Sequence, residues 1–94
     1  MAVLNAQERA QLAQELANVS FNRASGKLRR LDPQNRLAFF RNSQSPTTLH
    51  TCYELPSKGV RVTLIEEMTE KADKQPGRFK PEFKLTQVAV EALA

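Results

Sequence analysis

The residue types that carry out covalent or metal chemistry are sparse in this sequence. His50 and Cys52 are its single histidine and its single cysteine, and they stand two positions apart in "LHTCY". Side chains two apart on a β-strand point to the same side of the sheet at about 7 Å, which would let a thiol and an imidazole approach each other. No neighbouring residue is placed to orient the imidazole, so we expect no catalytic function from this pair.

Metal and phosphate signatures are also lacking. One histidine and one cysteine are too few soft ligands for a structural zinc site. The acidic residues of "IEEMTEKAD" have neither the ligand spacing nor the glycine of a calcium loop, so we expect a solvated strand end there; they are Glu66, Glu67, Glu70 and Asp73. Gly26 and Lys27 lack the remaining glycines of a phosphate loop. We therefore predict a protein that is not an enzyme and that holds no metal or cofactor.

Positive charge is concentrated in one segment. The chain has a formal net charge of +4, and residues 21–42 contain one acidic residue, Asp32, among six basic ones: Arg23, Lys27, Arg29, Arg30, Arg36 and Arg41. Phe39 and Phe40 stand side by side in the same segment. Cations beside an exposed ring on a sheet favour single-stranded nucleic acid, because phosphates meet the charge and a base stacks on the ring. The alternative is a solvated basic face.

Size and composition indicate one ordered domain, residues 1–94. The chain has 94 residues, of which 40% are hydrophobic and 26% are charged, which is typical of a globular domain. A single cysteine excludes an internal disulfide and suits a reducing compartment. The apolar runs are shorter than the roughly 20 residues that cross a bilayer, and no signal-peptide pattern is found. We expect a cytoplasmic protein without membrane contact.

The first half of the chain predicts a helix and a hairpin. Asn5 and Glu8 have the spacing of a capping box, and Leu12 and Leu16 begin an apolar stripe, so we expect a helix over about 5–19. "DPQN" favours a type I turn, which would join strands over about 27–31 and 36–42. Alternation would then place Phe39 in the core, with Leu28 and Leu37. Phe40 would lie on the opposite side with Lys27, Arg29 and Arg36.

The second half predicts a better-defined hairpin. "PSKG" would join strands over about 48–55 and 60–68. If Leu55 pairs with Val60, then Glu54 pairs with Arg61 as a cross-strand ion pair on the side away from the helix. The same register pairs Tyr53 with Val62, Thr51 with Leu64 and His50 with Ile65. This self-consistency supports the register.

The last segment is open to two interpretations. Residues 69–81 are polar and rich in proline and glycine, which predicts a mobile loop. A strand over about 82–91 follows, with a bulge near Gln87 because the apolar pattern changes register there. A C-terminal helix that begins at Pro81 is the alternative.

These elements predict an α+β fold, with one N-terminal helix on one side of an antiparallel meander of about five strands. The other side of the sheet would then be open. We expect a small non-enzymatic binding or accessory protein that uses this side to contact a protein partner or a second copy of itself. Single-stranded nucleic acid bound by the basic first hairpin is the alternative function. The predicted contact residues are Lys27, Arg29, Arg36, Phe40, Arg61, Ile65 and Val88.

Overall fold

The computed structural model describes residues 3–69 and 82–93. These residues form two α-helices followed by one antiparallel sheet of four strands in the order β1-β2-β3-β4. The elements are α1 (Ala6–Ala17), α2 (Phe21–Leu31), β1 (Arg36–Ser45), β2 (Thr48–Leu55), β3 (Val60–Thr69) and β4 (Glu82–Ala92). The α+β class with an antiparallel meander is confirmed. The prediction of one helix and about five strands is wrong by one element, because the predicted strand over 27–31 is helical.

Helix α1 begins where the sequence predicts. The Asn5 side chain accepts a hydrogen bond from the Glu8 amide at 2.8 Å, and the Glu8 carboxylate accepts one from the Asn5 amide at 3.1 Å. This capping box satisfies two amides that the first turn of a helix leaves free. Leu12 and Leu16 are the buried residues of the helix. The apolar stripe therefore packs as predicted.

Helix α2 replaces the predicted first strand. The Ser20 side chain caps it by accepting a hydrogen bond from the Arg23 amide at 3.3 Å. Ala24 and Leu28, four residues apart, are fully buried, as expected for one face of a helix. Gly26 costs a helix about 1 kcal/mol relative to alanine. Burial of the two apolar side chains outweighs that cost.

A buried hydrogen bond fixes α2 against the sheet. The Ser25 hydroxyl lies 2.6 Å from the Tyr53 hydroxyl, and both residues are buried. Buried hydroxyls need such partners, because an unpaired one loses its hydrogen bonds to water. This contact orients α2 on β2.

The "DPQN" segment connects α2 to β1 instead of joining two strands. The Asp32 side chain accepts hydrogen bonds from the Gln34 amide at 2.8 Å and from the Ser57 amide at 2.9 Å, and Asp32 is fully buried. Ser57 belongs to a short 3-10 turn, Pro56–Lys58, between β2 and β3. One carboxylate thus joins two connections that lie 25 residues apart.

The predicted hairpin of β2 and β3 is confirmed residue by residue. Leu55 pairs with Val60, Glu54 with Arg61, Tyr53 with Val62, Thr51 with Leu64 and His50 with Ile65. Gly59 closes the turn at φ 64°, a left-handed conformation that glycine adopts without steric cost.

The last element is a strand, so the alternative of a C-terminal helix is wrong. Ile65 pairs with Gln87 while Glu66 pairs with Leu85, which leaves Thr86 as an extra residue in β4. The predicted bulge is confirmed at this point. The predicted loop over 69–81 lies outside the described residues except for Thr69, which ends β3.

The core lies between the helices and one side of the sheet. It contains Leu12, Leu16, Ala24, Leu28, Tyr53, Leu55, Val60, Val62, Leu64 and Leu85. The side of the sheet that faces away from α1 and α2 is called the open face below. Among the described residues, no helix has the length and apolar character needed to cross a membrane.

Candidate functional site

Three cross-strand rows, each with one residue from every strand, form the middle of the open face. Residues that pair across an antiparallel sheet point to the same side, so the register defines the rows. In the order β1 to β4, the charged row is Arg36, Glu54, Arg61 and Glu91; the Phe39 row is Phe39, Cys52, Thr63 and Ala89; the Ile65 row is Asn42, His50, Ile65 and Gln87.

The charged row alternates in sign across the sheet. Glu54 accepts a hydrogen bond from the Arg61 guanidinium at 2.9 Å and lies 3.5 Å from the Arg36 guanidinium. The hydrogen bond from Arg61 lowers the pKa of Glu54, and the same bond raises the pKa of Arg61. Glu91, next to Arg61 in register, raises the pKa of Arg61 further. These shifts favour the ionised form of both groups at neutral pH, and the predicted Glu54 and Arg61 pair is confirmed.

A bulge in β1 brings an aromatic ring onto the open face. Leu37 pairs with Tyr53, and the register then shifts so that Phe39 pairs with Cys52. Phe39 is half-buried there, and Cys52 is 1% exposed. The prediction that Phe39 lies in the core is wrong, because a bulge interrupts the alternation of sides on which that prediction depends.

Phe40 lies on the helix side of the sheet. Its ring packs edge-on against Phe21 of α2, with the centroids 6.1 Å apart, and Phe40 is 52% exposed. Its predicted exposure is confirmed. Its predicted place beside the cations of the open face is wrong.

The cations of the predicted basic hairpin are divided between two sides of the protein. Lys27 and Arg29 belong to α2, which covers one side of the sheet. Arg36 and Arg61 lie on the open face with Glu54. The predicted first hairpin is not formed, because residues 27–31 are helical. Lys27, Arg29 and Arg36 therefore do not share one surface with Phe40.

The two aliphatic residues of the predicted contact set also lie on different sides. Ile65 is half-buried on the open face, between His50 and Gln87. Val88 pairs with Leu64 and packs against the core. Placing Val88 on the open face was therefore wrong, because the extra residue Thr86 turns the strand after it towards the helices.

The structure shows one cluster that the sequence did not predict, the Arg41 cluster, formed by Arg41, Glu66, Phe21 and Phe40. Arg41 donates from Nε to one oxygen of Glu66 at 3.1 Å and from a terminal nitrogen to the other at 3.3 Å. Its guanidinium carbon lies 4.9 Å from the centroid of Phe21 and 5.7 Å from that of Phe40. Arg41 has φ 46°, a left-handed backbone that is unfavourable for arginine.

The sequence contained a signal for this cluster. Glu66 alternates with Val62 and Leu64 on the core side of β3, and it is 1% exposed. A carboxylate at an inward position needs a cation or hydrogen-bond donors. The prediction that Glu66 lies at a solvated strand end is wrong for this reason. Its neighbour Glu67 is exposed on the other side, and Glu70 and Asp73 lie outside the described residues.

The thiol and imidazole do share the open face, but the thiol is shielded. Burial raises the pKa of the Cys52 thiol, which favours the protonated form over the nucleophilic thiolate at neutral pH. In residues 3–69 and 82–93, no three His, Cys, Asp or Glu side chains are close enough to hold a metal ion.

In the described part of the chain, the candidate site residues therefore lie on the open face, in the Arg41 cluster and on α2. No protein-family model, curated protein or solved structure matches this chain.

Proposed function

We propose that the chain is a small non-enzymatic binding protein of the cytoplasm, and that its open face docks against the open face of a second copy. The alternation of sign along the charged row supports this proposal more than any other observation. A row that reads positive, negative, positive, negative from β1 to β4 is its own complement when it is reversed. Two open faces that meet about a two-fold axis parallel to the strands reverse the row in this way.

The electrostatic contacts of this dimer are specific. Because β1 of one copy lies over β4 of the other, Arg36 faces Glu91 of the second copy and Glu54 faces Arg61 of the second copy. The two-fold axis repeats both contacts. Complementary charges of this kind select the orientation in which two surfaces meet.

The Phe39 row has a matching shape. The same reversal places the Phe39 ring over Ala89 of the second copy. A large side chain over a small one lets two sheets approach the spacing of about 10 Å at which sheets pack. Size and charge therefore favour the same orientation.

The dimer is expected to be weak. Four strands about 4.8 Å apart and eight residues of about 3.3 Å rise give a footprint of about 500 Å² per copy. Stable interfaces bury about 800 Å² per partner. Mass action then populates the dimer only at high protein concentration.

A pair of charge reversals tests the orientation. Arg36→Glu alone and Glu91→Arg alone each create two like-charge contacts per dimer, and each is expected to raise the dissociation constant at least tenfold. An equimolar mixture of the two variants restores opposite charges at both contacts, so it should dimerise about as well as the parent. Sedimentation equilibrium of each variant and of the mixture measures this.

The mixture of the two variants also gives the result that can contradict the proposed orientation. Each variant keeps its altered contact within the chain when the two are mixed, so recovery reports only on contacts between copies. A mixture that stays monomeric while the parent dimerises would rule out this orientation. A parent that stays monomeric at millimolar concentration would rule out the homodimer.

A second variant tests the apolar part of the face. Ile65→Lys adds a charge among half-buried side chains of the open face and is expected to weaken the dimer at least tenfold while the monomer stays folded. Gln7→Lys adds the same charge to an exposed position of α1 and should leave the dimer intact. Val88→Lys, in contrast, should unfold the protein, because Val88 packs against the core. Circular dichroism distinguishes unfolding from dissociation.

A further inference from the structure

The outward side of α2 carries a continuous basic surface, called the basic face, formed by Arg23, Lys27, Arg29 and Arg30. Arg23, Arg29 and Arg30 are exposed and Lys27 is half-buried. Three of the four, together with Val19, Asn22 and Gly26, line a shallow cleft of about 570 Å³; they are Arg23, Lys27 and Arg30. The cations thus surround an open depression.

The charge of the basic face is largely uncompensated. Lys27 pairs with Glu15 of α1 at 2.8 Å, and both side chains are partly exposed. In the described part of the chain, Arg23, Arg29 and Arg30 have no carboxylate within salt-bridge distance. The floor of the cleft is also accessible, since a β-carbon at Gly26 would meet only the Arg30 guanidinium, at 3.8 Å.

The spacing of the cations matches a linear polyanion. Arg23, Lys27 and Arg30 are four and three residues apart, so they form one stripe that extends about 10 Å along the helix axis. One strand of a nucleic-acid duplex advances about 3.4 Å per phosphate along its axis. Measured along the duplex axis, the stripe is therefore as long as about three phosphate steps of one strand.

Other polyanions fit this face less well. A single small phosphate compound needs donors that converge on one point, whereas the cations of the basic face are spread along the helix. A membrane surface favours a helix whose apolar side enters the lipid, but the apolar side of α2, with Ala24 and Leu28, is buried against the sheet. The cleft is lined without an aromatic ring, so it offers a base no aromatic side chain to stack on.

We infer that the basic face binds the phosphate backbone of nucleic acid, without sequence specificity. The proposed site differs from the predicted basic hairpin in its residues, because α2 contributes all the cations. It also differs in the way it binds, because phosphate contacts replace base stacking. Duplex DNA should bind at least as tightly as a single strand of equal length, since its charge density along the axis is about twice as high. The basic face lies on the helix side of the sheet, so the site does not depend on the proposed dimer.

Fluorescence anisotropy with a labelled 20-base-pair DNA duplex and with its single strand, at several salt concentrations, tests the inference. Each phosphate contact should lower the logarithm of the affinity per tenfold rise in salt by about 0.9 for the duplex and by about 0.7 for the single strand. Arg23→Gln and Arg30→Gln should each reduce the slope for the duplex by about 0.9 and weaken binding severalfold at low salt. Lys84→Gln, which removes the same charge from an exposed position of β4 outside the three rows, should leave both unchanged.

Glu15→Gln is expected to strengthen the binding of nucleic acid. It frees Lys27 from its ion pair and removes a negative charge beside the cleft, so binding should become severalfold tighter and the slope steeper. Glu67→Gln makes the same change of charge at a remote exposed position and should have little effect.

Three results would overturn the inference. The first is no binding at low salt, where electrostatic attraction is strongest. The second is an equal loss of binding with Lys84→Gln and with Arg30→Gln, which would mean attraction by net charge alone. The third is tighter binding to phosphatidylserine vesicles than to duplex DNA.

Discussion

Arg41→Ala is expected to lower the free energy of unfolding by about 2 to 3 kcal/mol. Removal of one partner from a buried ion pair costs about 3 to 5 kcal/mol, and the estimate is reduced because the Arg41 side chain is 45% exposed. The cost arises at Glu66, whose side chain is 1% exposed and would lose the guanidinium that accompanies its carboxylate. Contacts of the guanidinium with the rings of Phe21 and Phe40 would be lost as well.

The effect should be asymmetric between the two partners. Glu66→Leu removes the buried charge and leaves an Arg41 guanidinium that water still reaches, so it should cost less than about 1 kcal/mol. The double variant Arg41→Ala with Glu66→Leu should be more stable than Arg41→Ala alone. Urea denaturation of the four proteins completes the cycle. Equal costs for the two single variants would mean that the buried charge is not the source of the effect.

The left-handed backbone of Arg41 reverses the expected order of stability of its glycine and alanine variants. At φ 46° an alanine pays the left-handed penalty of about 1 kcal/mol and glycine does not. Arg41→Gly should therefore be more stable than Arg41→Ala, although glycine in a strand is ordinarily the worse choice. If alanine is the more stable variant, the bulge of β1 relaxes to an ordinary strand once the arginine is gone.

The sequence was sufficient for the elements whose pattern is local. The hairpin of β2 and β3 has strict alternation and a turn with proline first and glycine last, and its register was predicted correctly from Leu55 and Val60 onward. The bulge in β4 was visible because the apolar pattern changes register near Gln87. In both cases the residues that determine the geometry are close together in the chain.

Helix α2 was missed because a local turn signal was given too much weight. "DPQN" favours a type I turn, and residues 27–31 were therefore assigned to a strand that would precede it. Leu28 and Leu31 are three apart, which is a helical and not a strand spacing. The hydrogen bond between Ser25 and Tyr53 that fixes the helix joins residues 28 apart in sequence, so no local pattern could reveal it.

Only the part of the candidate site that lies within one hairpin was predicted from the sequence. Glu54 and Arg61 belong to one hairpin, so their pairing followed from its register. Arg36 and Glu91 complete the charged row from the outer strands, and the register of β1 depends on bulges that the sequence does not mark. The Arg41 cluster joins residues 25 apart through a backbone conformation that arginine rarely adopts.

The two proposed surfaces lie on opposite sides of the sheet and differ in the chemistry they suit. The open face has both signs of charge in alternation, which suits a surface that is its own complement. The basic face has one sign, which suits a polyanion. If both proposals hold, the dimer presents its two basic faces on opposite outer sides, so each of them is free to bind its own stretch of nucleic acid.

Asp32→Ala is expected to lower the midpoint of thermal unfolding by roughly 10 to 20 °C. The substitution removes the acceptor of the Gln34 and Ser57 amides and leaves both donors in a region where Asp32 itself is fully buried. It also disconnects the segment after α2 from the turn between β2 and β3. Asp32→Asn should be milder, because its amide oxygen still accepts one of the two hydrogen bonds.

The pH dependence of the Asp32→Asn effect identifies the carboxylate as its source. Burial opposes ionisation of Asp32, but the amide hydrogen bonds from Gln34 and Ser57 outweigh it and hold the pKa of Asp32 below its ordinary value of 3.8. A carboxylate with a lowered pKa in the folded state stabilises the protein fully above the unfolded pKa, and this contribution is lost as the pH falls through the folded value. The difference in unfolding midpoint between the parent and Asp32→Asn should therefore be constant from pH 7 to about pH 5 and shrink below pH 4, where the Asp32 side chain also becomes neutral.

Calorimetric scans at steps of half a pH unit measure this difference, with Glu54→Gln as a control for the other carboxylate whose pKa is lowered. A difference that stays constant down to pH 2 would show that the size of the asparagine amide, and not the loss of charge, destabilises the variant.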